Sequence, residues 1–276
     1  MDFFEYVEDV LKFTQDCIIF VPSGAYIESI YAINADIYIE SGAEVKTVFT
    51  TRDVWVEDDV RFDYIDASNV HMGNRNHGRL ISTTPPDFED EKNVSVGNIE
   101  IGNRNKISYL TATGDILCGA ANSFIEAKSH KGDIVADEYN TFSYIKAGCN
   151  VKIGSKNGVL YEIKALGGIS VQNGNVISKM YAIDDIHIGE TCLIGQCHSY
   201  SGNIEAKDFS EVSEIIGHAE VTIGHHCKIS NIATEGSVVI WDYDNVDLVF
   251  GVVPKKGKQT VVHKVVTDYP LWYGGI

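Results

Sequence analysis

Apolar residues recur along this chain in pairs that are separated by a single residue. The first member of each pair is isoleucine or valine, the second is apolar, and the pairs follow one another at a regular interval of seventeen or eighteen positions. The nine pairs are Ile99/Ile101, Ile116/Cys118, Ile134/Ala136, Val151/Ile153, Ile169/Val171, Ile186/Ile188, Ile204/Ala206, Val221/Ile223 and Val238/Ile240. An apolar-x-apolar triplet is typical of a β-strand with one inward face. A fixed short period is typical of a solenoid, so the sequence predicts an all-β, parallel β-helix with about 17 residues per coil.

The same pattern begins before residue 99 and is interrupted once. Three earlier pairs, Ile37/Ile39, Val54/Val56 and Val70/Met72, keep nearly the same interval, but the step from Val70 to Ile99 is longer by about a dozen positions. Residues 83–92, TTPPDFEDEK, contain the only Pro-Pro of the chain and its densest acidic run. Pro-Pro is typical of a loop. We therefore expect a β-helix over residues 17–250 with an inserted, protruding loop at 83–92.

The two ends of the chain are expected to differ from the coils. Residues 2–15 place apolar side chains at helical spacing between acidic ones, which predicts an amphipathic capping helix within residues 1–16. Residues 251–276 contain a basic turn and an aromatic ending, and they are expected to form a C-terminal cap or tail.

A shorter spacing of six positions runs inside the coils. It relates Ile153, Val159, Ala165, Val171, Ile177 and Ile183. Three short strands per coil, each with one dominant inward residue, account for this spacing. We therefore predict a three-sided cross-section and about a dozen coils.

Composition and charge restrict the classes of partner. The formal net charge is −17, and 44% of the residues are hydrophobic. An acidic body repels nucleic acid and anionic membranes, so no direct nucleic-acid binding is expected. No run of 18 apolar residues indicates a membrane span, and the N-terminus lacks the basic region of a signal peptide.

The cysteines indicate a reducing compartment. Cys192 and Cys227 occupy the same place in two different coils, and the six cysteines show neither a CxxC pair nor a compact disulfide spacing. The six are Cys17, Cys118, Cys149, Cys192, Cys197 and Cys227. We therefore expect reduced thiols and a cytoplasmic protein.

Short phrases within the repeat resemble two known families of β-helix. Gly114-Asp-Ile-Leu, Gly132-Asp-Ile-Val-Ala and Gly202-Asn-Ile-Glu-Ala are similar to the Gly-Asp-Ile-x-Ala phrases of bactofilins, which are bacterial cytoskeletal proteins. The Ile-Gly steps at Ile101, Ile153, Ile188, Ile194, Ile216 and Ile223 resemble left-handed hexapeptide-repeat proteins. The first resemblance implies a polymer-forming structural protein, and the second implies a triangular β-helix that includes acyltransferases. The expected capping helix and inserted loop argue against end-to-end polymerisation.

Candidate catalytic groups are scattered along the chain. The candidate metal ligands are His187, His218, His225 and His226, which do not recur at comparable coil positions. The candidate general bases of an acyltransferase are His130, His187 and His198. The candidate carboxylate pairs of a glycan-cleaving enzyme are Asp63/Asp66 and Asp242/Asp244. No complete catalytic set emerges, and the sequence predicts no metal and no cofactor.

A repeated tetrapeptide supplies the candidate partner site. Gly-Asn-Arg-Asn occurs at residues 73–76 and again at 102–105, in neighbouring coils. Asparagines at such positions form ladders between coils, whereas two arginines one coil apart can hold an acidic partner. The predicted partner-binding residues are Asn74, Arg75, Asn103 and Arg104 together with Asp87, Glu89 and Asp90 of the inserted loop.

These patterns favour a non-enzymatic structural or protein-interaction β-helix. Its partner is expected to be another protein or a second copy of the chain, as a small homo-oligomer. Two alternatives remain open at this point. One is an acidic decoy that occupies a nucleic-acid-binding protein. The other is a hexapeptide-type transferase or a glycan-acting enzyme.

Overall fold

The computed structural model describes residues 5–7, 10–13, 16–83 and 96–267. Within these residues the protein is all-β, and no helix occurs. The chain divides into two compact units, Met1–Gly148 and Cys149–Ile276. Both are parallel β-solenoids whose coils have the length that the spacing of the apolar pairs predicts, so the predicted solenoid is confirmed.

The first unit begins with a hairpin and continues as an alternation of short and long strands. Its strands are β1 (Glu5–Val7), β2 (Val10–Phe13), β3 (Cys17–Val21), β4 (Tyr26–Ala32), β5 (Ala35–Ile39), β6 (Glu44–Thr50), β7 (Val54–Val56), β8 (Arg61–Asp66), β9 (Val70–Met72), β10 (His77–Ser82), β11 (Ile99–Ile101), β12 (Lys106–Ala112), β13 (Ile116–Cys118), β14 (Ser123–Ser129), β15 (Ile134–Ala136) and β16 (Thr141–Ala147). The odd-numbered strands from β3 onward form a short-strand sheet, and the even-numbered strands form a long-strand sheet. Each coil therefore contributes one strand to each sheet.

The second unit repeats this plan. Its strands are β17 (Val151–Ile153), β18 (Gly158–Ala165), β19 (Ile169–Val171), β20 (Val176–Ala182), β21 (Ile186–Ile188), β22 (Leu193–Ser199), β23 (Ile204–Ala206), β24 (Glu211–Gly217), β25 (Val221–Ile223), β26 (Lys228–Thr234), β27 (Val238–Ile240), β28 (Asn245–Phe250), β29 (Lys255–Lys256) and β30 (Val261–Val266). β29 and β30 pair in parallel with β27 and β28, so the coil pattern continues into the segment expected to form a cap or tail. In both units the described strands form two ladders per coil. The three-sided cross-section stays a prediction.

The repeated apolar pairs form the core of both units. All eighteen residues of the nine pairs lie in the short strands, and none is more than 4% exposed. The residue between the two members of each pair faces outward, as the period of two along a strand requires. Burying one such isoleucine or valine side chain contributes about 1.5–3 kcal/mol. The inward phase deduced from the sequence is therefore confirmed.

The predicted helix over residues 2–15 is wrong for the residues of that segment that the structure describes. Residues 5–7 and 10–13 are strands β1 and β2, which pair antiparallel, and β2 then pairs in parallel with β4. The spacing of the apolar residues was compatible with a helix. The outer edge of β4 carries backbone N–H and C=O groups that need hydrogen-bond partners, and β2 provides these partners as a strand.

The repeated Gly-Asn-Arg-Asn tetrapeptide builds one corner of its coils. The side chain of Asn103 accepts the backbone N–H of Ala120 at 2.6 Å, and that of Asn105 accepts the N–H of Asn76 at 2.7 Å. Arg104, between them, has a positive φ of 60°. The inner ladder is buried and recurs through Asn76, Asn105, Asn122 and Asn140 in the first unit. The expected asparagine ladders are thus confirmed.

Candidate functional site

The outward face of the short-strand sheet in the first unit carries a row of stacked rings. Phe20, Tyr38, Trp55 and His71 are direct partners in the parallel register of strands β3, β5, β7 and β9. Successive ring centroids lie 5.3, 4.6 and 5.4 Å apart, and the interplanar angles are at most 23°. Tyr38 and Trp55 are therefore covered on both faces by neighbouring rings. The row presents ring edges to solvent, which leaves no uncovered face of these two rings for stacking on a sugar.

A groove runs beside the later part of this row of rings and continues beyond it. The row continues in register as Glu100, Leu117 and Val135, and beside it runs a parallel column of residues that directly follow the short strands. This second column reads Glu57, Gly73, Gly102, Gly119 and Asp137. Three successive glycines leave a trough of about 880 Å³, lined also by Tyr38, Trp55 and Met72. We call it the glycine-floored groove.

The ladder of asparagine and aspartate side chains explains why the floor is glycine. A Cβ atom on Gly119 would lie 2.5 Å from Oδ1 of Asn103, and one on Gly102 would lie 2.6 Å from the carbonyl oxygen of Gly73. Any side chain at these positions would collide with atoms that hold the neighbouring coil. The absence of side chains from the floor of the groove is thus a consequence of the ladder geometry.

The backbone of the floor is already hydrogen-bonded within the coils. The N–H groups of Gly73, Gly102 and Gly119 donate to Val56, Met72 and Ile101 at 2.7–2.8 Å. The carbonyl of Gly102 accepts Nδ2 of Asn122 at 3.0 Å. A molecule in the groove would therefore be recognised by side chains rather than by the main chain.

The electrostatic character of the groove is acidic. Its lining includes the carboxylates of Glu57, Glu100 and Asp137, and no lysine or arginine is found among the described residues that line it. Nδ1 of His71 lies 2.9 Å from Oε2 of Glu100, and both side chains remain partly exposed. Oε2 of Glu57 accepts the N–H and Oγ–H of Ser41 at 3.0 and 2.9 Å. These contacts hold two of the three carboxylates in place.

The three carboxylates are regularly spaced along the coils. Glu57 follows β7, Glu100 lies in β11 and Asp137 follows β15. Strands β7, β9, β11, β13 and β15 are consecutive neighbours, so each carboxylate is two coils from the next. At about 4.8 Å per coil, this spacing along the stack of coils is about 9–10 Å for each step. The groove therefore carries a negative charge at every second coil, with Glu100 in the neighbouring column of residues.

The arginines predicted to bind a partner have different environments. The guanidinium of Arg75 lies 2.7 Å from Asp59 and 3.2 Å from Asp58, and its hydrogen bond holds the pKa of Asp59 below its usual range. Its charge is thus compensated within the chain. Arg104 makes no ion pair with any part of the chain that the structure describes. Asn74 accepts the N–H of Asn103 at 2.8 Å, and so belongs to the outer ladder.

The acidic residues of the predicted partner site cannot be placed. Asp87, Glu89 and Asp90 of the inserted loop lie outside the described residues, within 84–95. Their part in binding a partner stays a prediction, as does that of Arg75 and Arg104.

The candidate histidines lie in separate local contacts. His226 is stacked between Phe209 and Tyr243, with centroids 5.1 and 4.9 Å away, and Nδ1 of His225 accepts the N–H of Asp242 at 3.3 Å. Two other candidate histidines pair with carboxylates: His187 with Glu205 at 3.1 Å and His218 with Glu235 at 3.5 Å. Among the residues placed by the structure, no three histidine, cysteine or acidic side chains are grouped to hold a metal.

Two further candidate general bases differ in burial. His130 is exposed, and partial burial of its ring together with Lys128, Lys146 and Lys131 lowers its pKa. His198 is only 6% exposed, and burial is again the main cause of its lowered pKa.

The candidate carboxylate pairs do not face each other across a cleft. Asp63 is exposed, whereas Asp66 is buried and accepts the hydroxyl of Tyr64 at 3.1 Å. Burial raises the pKa of Asp66, and burial together with Asp66 raises the pKa of Tyr64 to about 12. Asp244 is buried, and its Oδ1 accepts the backbone N–H of Cys227. Asp66 and Asp244 are thus used in local structure.

The state of the cysteines and the presence of a membrane-spanning helix are two further points on which the sequence made predictions. No disulfide joins any of the six cysteines. Cys192 and Cys227 share the same buried corner position, as expected, and their thiols lie 3.1 and 3.2 Å from the carbonyl oxygens of Gln172 and Lys207. Across the described residues, no helix has the length and apolar character needed to cross a membrane.

Sequence reasoning missed the glycine-floored groove. Glu57, Glu100 and Asp137 are far apart in sequence and share no motif. The available signal was the coil period itself. Aligning the residues that follow each short strand places the three glycines between two acids.

Comparison of the chain with models of protein families, with curated proteins and with solved structures finds no match. The class of protein is therefore defined by the fold alone, as a parallel β-solenoid. The function must be argued from its surface.

Proposed function

We propose that this chain is a non-catalytic protein-interaction solenoid whose partner binds along the glycine-floored groove. The observation that carries the proposal is the groove itself, a trough of about 880 Å³ with a glycine floor and a charged, partly apolar rim. Concave sites with an apolar lining and a few fixed polar groups are the usual binding sites of proteins.

The shape of the groove favours an elongated partner segment. Its lining residues lie on six consecutive coils of the first unit, from Tyr38 to Asp137, which is about 24 Å at 4.8 Å per coil. Leu117 is 41% exposed on its rim, in register with Val135 of the next coil, and provides apolar contact area. An extended peptide of about seven residues has this length.

The remainder of the chain supports a scaffold rather than a reaction centre. The histidines and carboxylates that the sequence offers as catalytic candidates include members of ladders, ring stacks and local ion pairs. The rim of the groove offers carboxylates, ring edges and aliphatic side chains. Such groups are suited to contact the surface of a partner protein.

We also propose a cellular compartment, an oligomeric state and a cross-section for this protein. We place it in the cytoplasm as a small homo-oligomer with a three-sided cross-section. Six cysteines without a disulfide support a reducing compartment, and burial raises the pKa of Cys192 and raises that of Cys227 to about 12. A raised thiol pKa keeps these groups protonated at neutral pH.

A site-specific cross-linking experiment tests the proposed site. A photo-reactive amino acid replaces Leu117 in the groove, and in a matched control it replaces Ile125, which is 44% exposed on β14 of the same unit. We expect a discrete adduct with another protein from position 117 in native cells, and none from position 125. Adducts with other copies of the chain alone would instead favour self-association. Equal adducts from both positions, or none from 117, would contradict the proposal.

A further inference from the structure

We infer that the glycine-floored groove takes a polyproline II segment with an arginine or lysine at every third position. This inference rests on the proposed function, because it names the chemistry of the partner at the same groove. It goes further in fixing the conformation and the spacing that the partner must have.

Charge complementarity selects a cationic segment. Three carboxylates, those of Glu57, Glu100 and Asp137, line the groove, and the residues described there include no arginine or lysine to neutralise them. His71 is the one ring that lies within hydrogen-bond distance of a groove carboxylate in the described residues. An anionic or neutral partner would leave these charges without compensation, whereas guanidinium groups form charge-assisted hydrogen bonds with them.

The spacing of the carboxylates selects the conformation. Along the stack of coils each step between them is two coils, about 9.6 Å at 4.8 Å per coil, and Glu100 is also displaced across the stack by two residues. A polyproline II helix has three residues per turn and rises 3.1 Å per residue, so side chains three residues apart point to the same side about 9.3 Å apart. In a β-strand, residues three apart point to opposite faces. The polyproline II conformation therefore matches the spacing of the charges along the stack of coils, and a β-strand does not.

The lateral position of Glu100 fits a long basic side chain. Glu100 precedes the column of Glu57 and Asp137 by two residues along its strand, which displaces it by about 7 Å. The flexible stem of an arginine or lysine spans such an offset and packs its methylene groups on apolar surface. The ring edges of Tyr38 and Trp55 and the side chain of Leu117 supply that surface.

The floor of the groove suits a segment that offers few backbone donors. The glycine N–H groups are bonded within the coils, and no sheet edge is exposed along the described length of the groove. Strand addition, which depends on such an edge, is therefore not the mode of binding. Proline-rich segments lose little entropy on binding, because their conformation is largely formed beforehand.

Fluorescence anisotropy with short labelled peptides tests this inference on the full-length protein. The probe is a nonapeptide of three Arg-Pro-Pro repeats. Three peptides serve as controls: one with the same composition but the three arginines adjacent, one with glutamate in place of arginine, and one with glycine in place of proline. We expect the regular probe to bind at least about tenfold more tightly than each control, and the binding to weaken as salt is raised.

Protein variants locate the binding. Glu100→Lys and Asp137→Lys should each weaken binding of the probe about tenfold or more, since attraction becomes repulsion. The matched control is Glu205→Lys, because Glu205 pairs with His187 on the short-strand sheet of the second unit as Glu100 pairs with His71. It should bind the probe like the parent. Circular dichroism and thermal melting of each variant establish that it is folded.

The outcomes separate this inference from the function on which it rests. Equal binding of the regular and clustered peptides, or unchanged binding by both groove variants, would overturn the inference. Failure of the probe to bind while position 117 still cross-links a protein would also overturn it, but would leave the proposed function standing. Failure of both experiments would remove both.

Discussion

Oδ1 of Asp244 accepts the backbone N–H of Cys227 at 2.6 Å, from a coil position that asparagine occupies in other coils. In Asn122 the second side-chain atom is an NH₂ group, which donates to Gly119 and Gly102 at 2.9 and 3.0 Å. In Asp244 the corresponding Oδ2 is buried and has no hydrogen-bond partner in the described residues. Burial accordingly raises the pKa of Asp244 to about 6, although Cys227, His225 and His226 act against this shift.

Stability should fall as the pH rises through 6 because of this carboxyl group. Its pKa is higher in the folded state than the ordinary value of 3.8, so the folded state retains a proton that the unfolded chain has released. The stabilising effect of the protonated group is complete below about pH 4 and is lost as the pH rises through about 6. A protonated carboxyl group can donate a hydrogen bond as the asparagine amide does.

Replacing Asp244 with asparagine should therefore stabilise the protein at neutral pH. We expect a gain of roughly 1–2 kcal/mol at pH 7.5, because the amide restores a donor at a buried position. The gain should shrink at pH 5, where Asp244 is protonated. Thermal melting of the parent and of Asp244→Asn across pH 5–8 measures this, with the exposed Asp247→Asn on β28 as the control. A difference that does not depend on pH would contradict the assignment.

Two glycines at the start of long strands should respond oppositely to alanine. A Cβ atom on Gly78 would lie 2.0 Å from the ring of Phe62, which is buried, whereas one on Gly158 meets nothing within 4 Å. Gly78→Ala should destabilise the protein by about 1–3 kcal/mol through overpacking. Gly158→Ala should be neutral or stabilise it by up to about 1 kcal/mol, because the unfolded chain loses freedom. Urea denaturation of both variants decides the matter, and similar midpoints would count against this packing at Gly78.

The inward face of the short strands should not tolerate charge. Ile169→Asp and Ile186→Asp should each cost more than about 4 kcal/mol, because both side chains are at most 1% exposed. Ser170 lies between the apolar positions of β19 and is exposed, so Ser170→Asp is the matched control and should leave the melting temperature nearly unchanged. If the two isoleucine variants melted like the control, the inward phase of the coil would be refuted.

Removing residues 1–15 should cause aggregation or filament formation. Strand β2 within this segment pairs with β4, so the deletion leaves the edge of the first long strand without its partner. Exposed strand edges pair with other chains. Light scattering of the intact and truncated proteins measures the effect, and we expect the intact chain to form a discrete particle between monomer and trimer. Filaments from the intact protein would restore the bactofilin-like polymer as the better interpretation.

The coil repeat was readable from the sequence because burial imposes it directly. Each short strand has two inward residues separated by one outward residue, and a polar residue at Ile99 or Ile101 would be buried without a partner. Selection against such residues leaves a pattern that survives in all nine pairs. The ladder role of Asn105 followed from the same argument, since its tetrapeptide recurs in the neighbouring coil.

Other features depend on geometry that the pattern does not contain. Ile183, which the six-residue spacing placed inward, is 44% exposed, while Ala182 beside it is buried. The chain bends after β20 at this point, and the bend shifts the alternation of inward and outward side chains by one residue. The groove was missed for a related reason. Its carboxylates lie outside the core, where nothing forces a regular sequence, and only the register of the strands brings them into line.

The fixed rise of the coils would also limit how the proposed groove discriminates between partners. The distance from Glu57 to Asp137 is set by backbone hydrogen bonds between strands, so it cannot adjust to a partner as a flexible loop would. Insertion of a complete coil between Gly102 and Gly119 would lengthen one step to about 14 Å and leave every ladder intact. Such a variant should come to favour basic residues in a different periodicity. Specificity here would evolve in discrete increments of length, by gain or loss of whole coils.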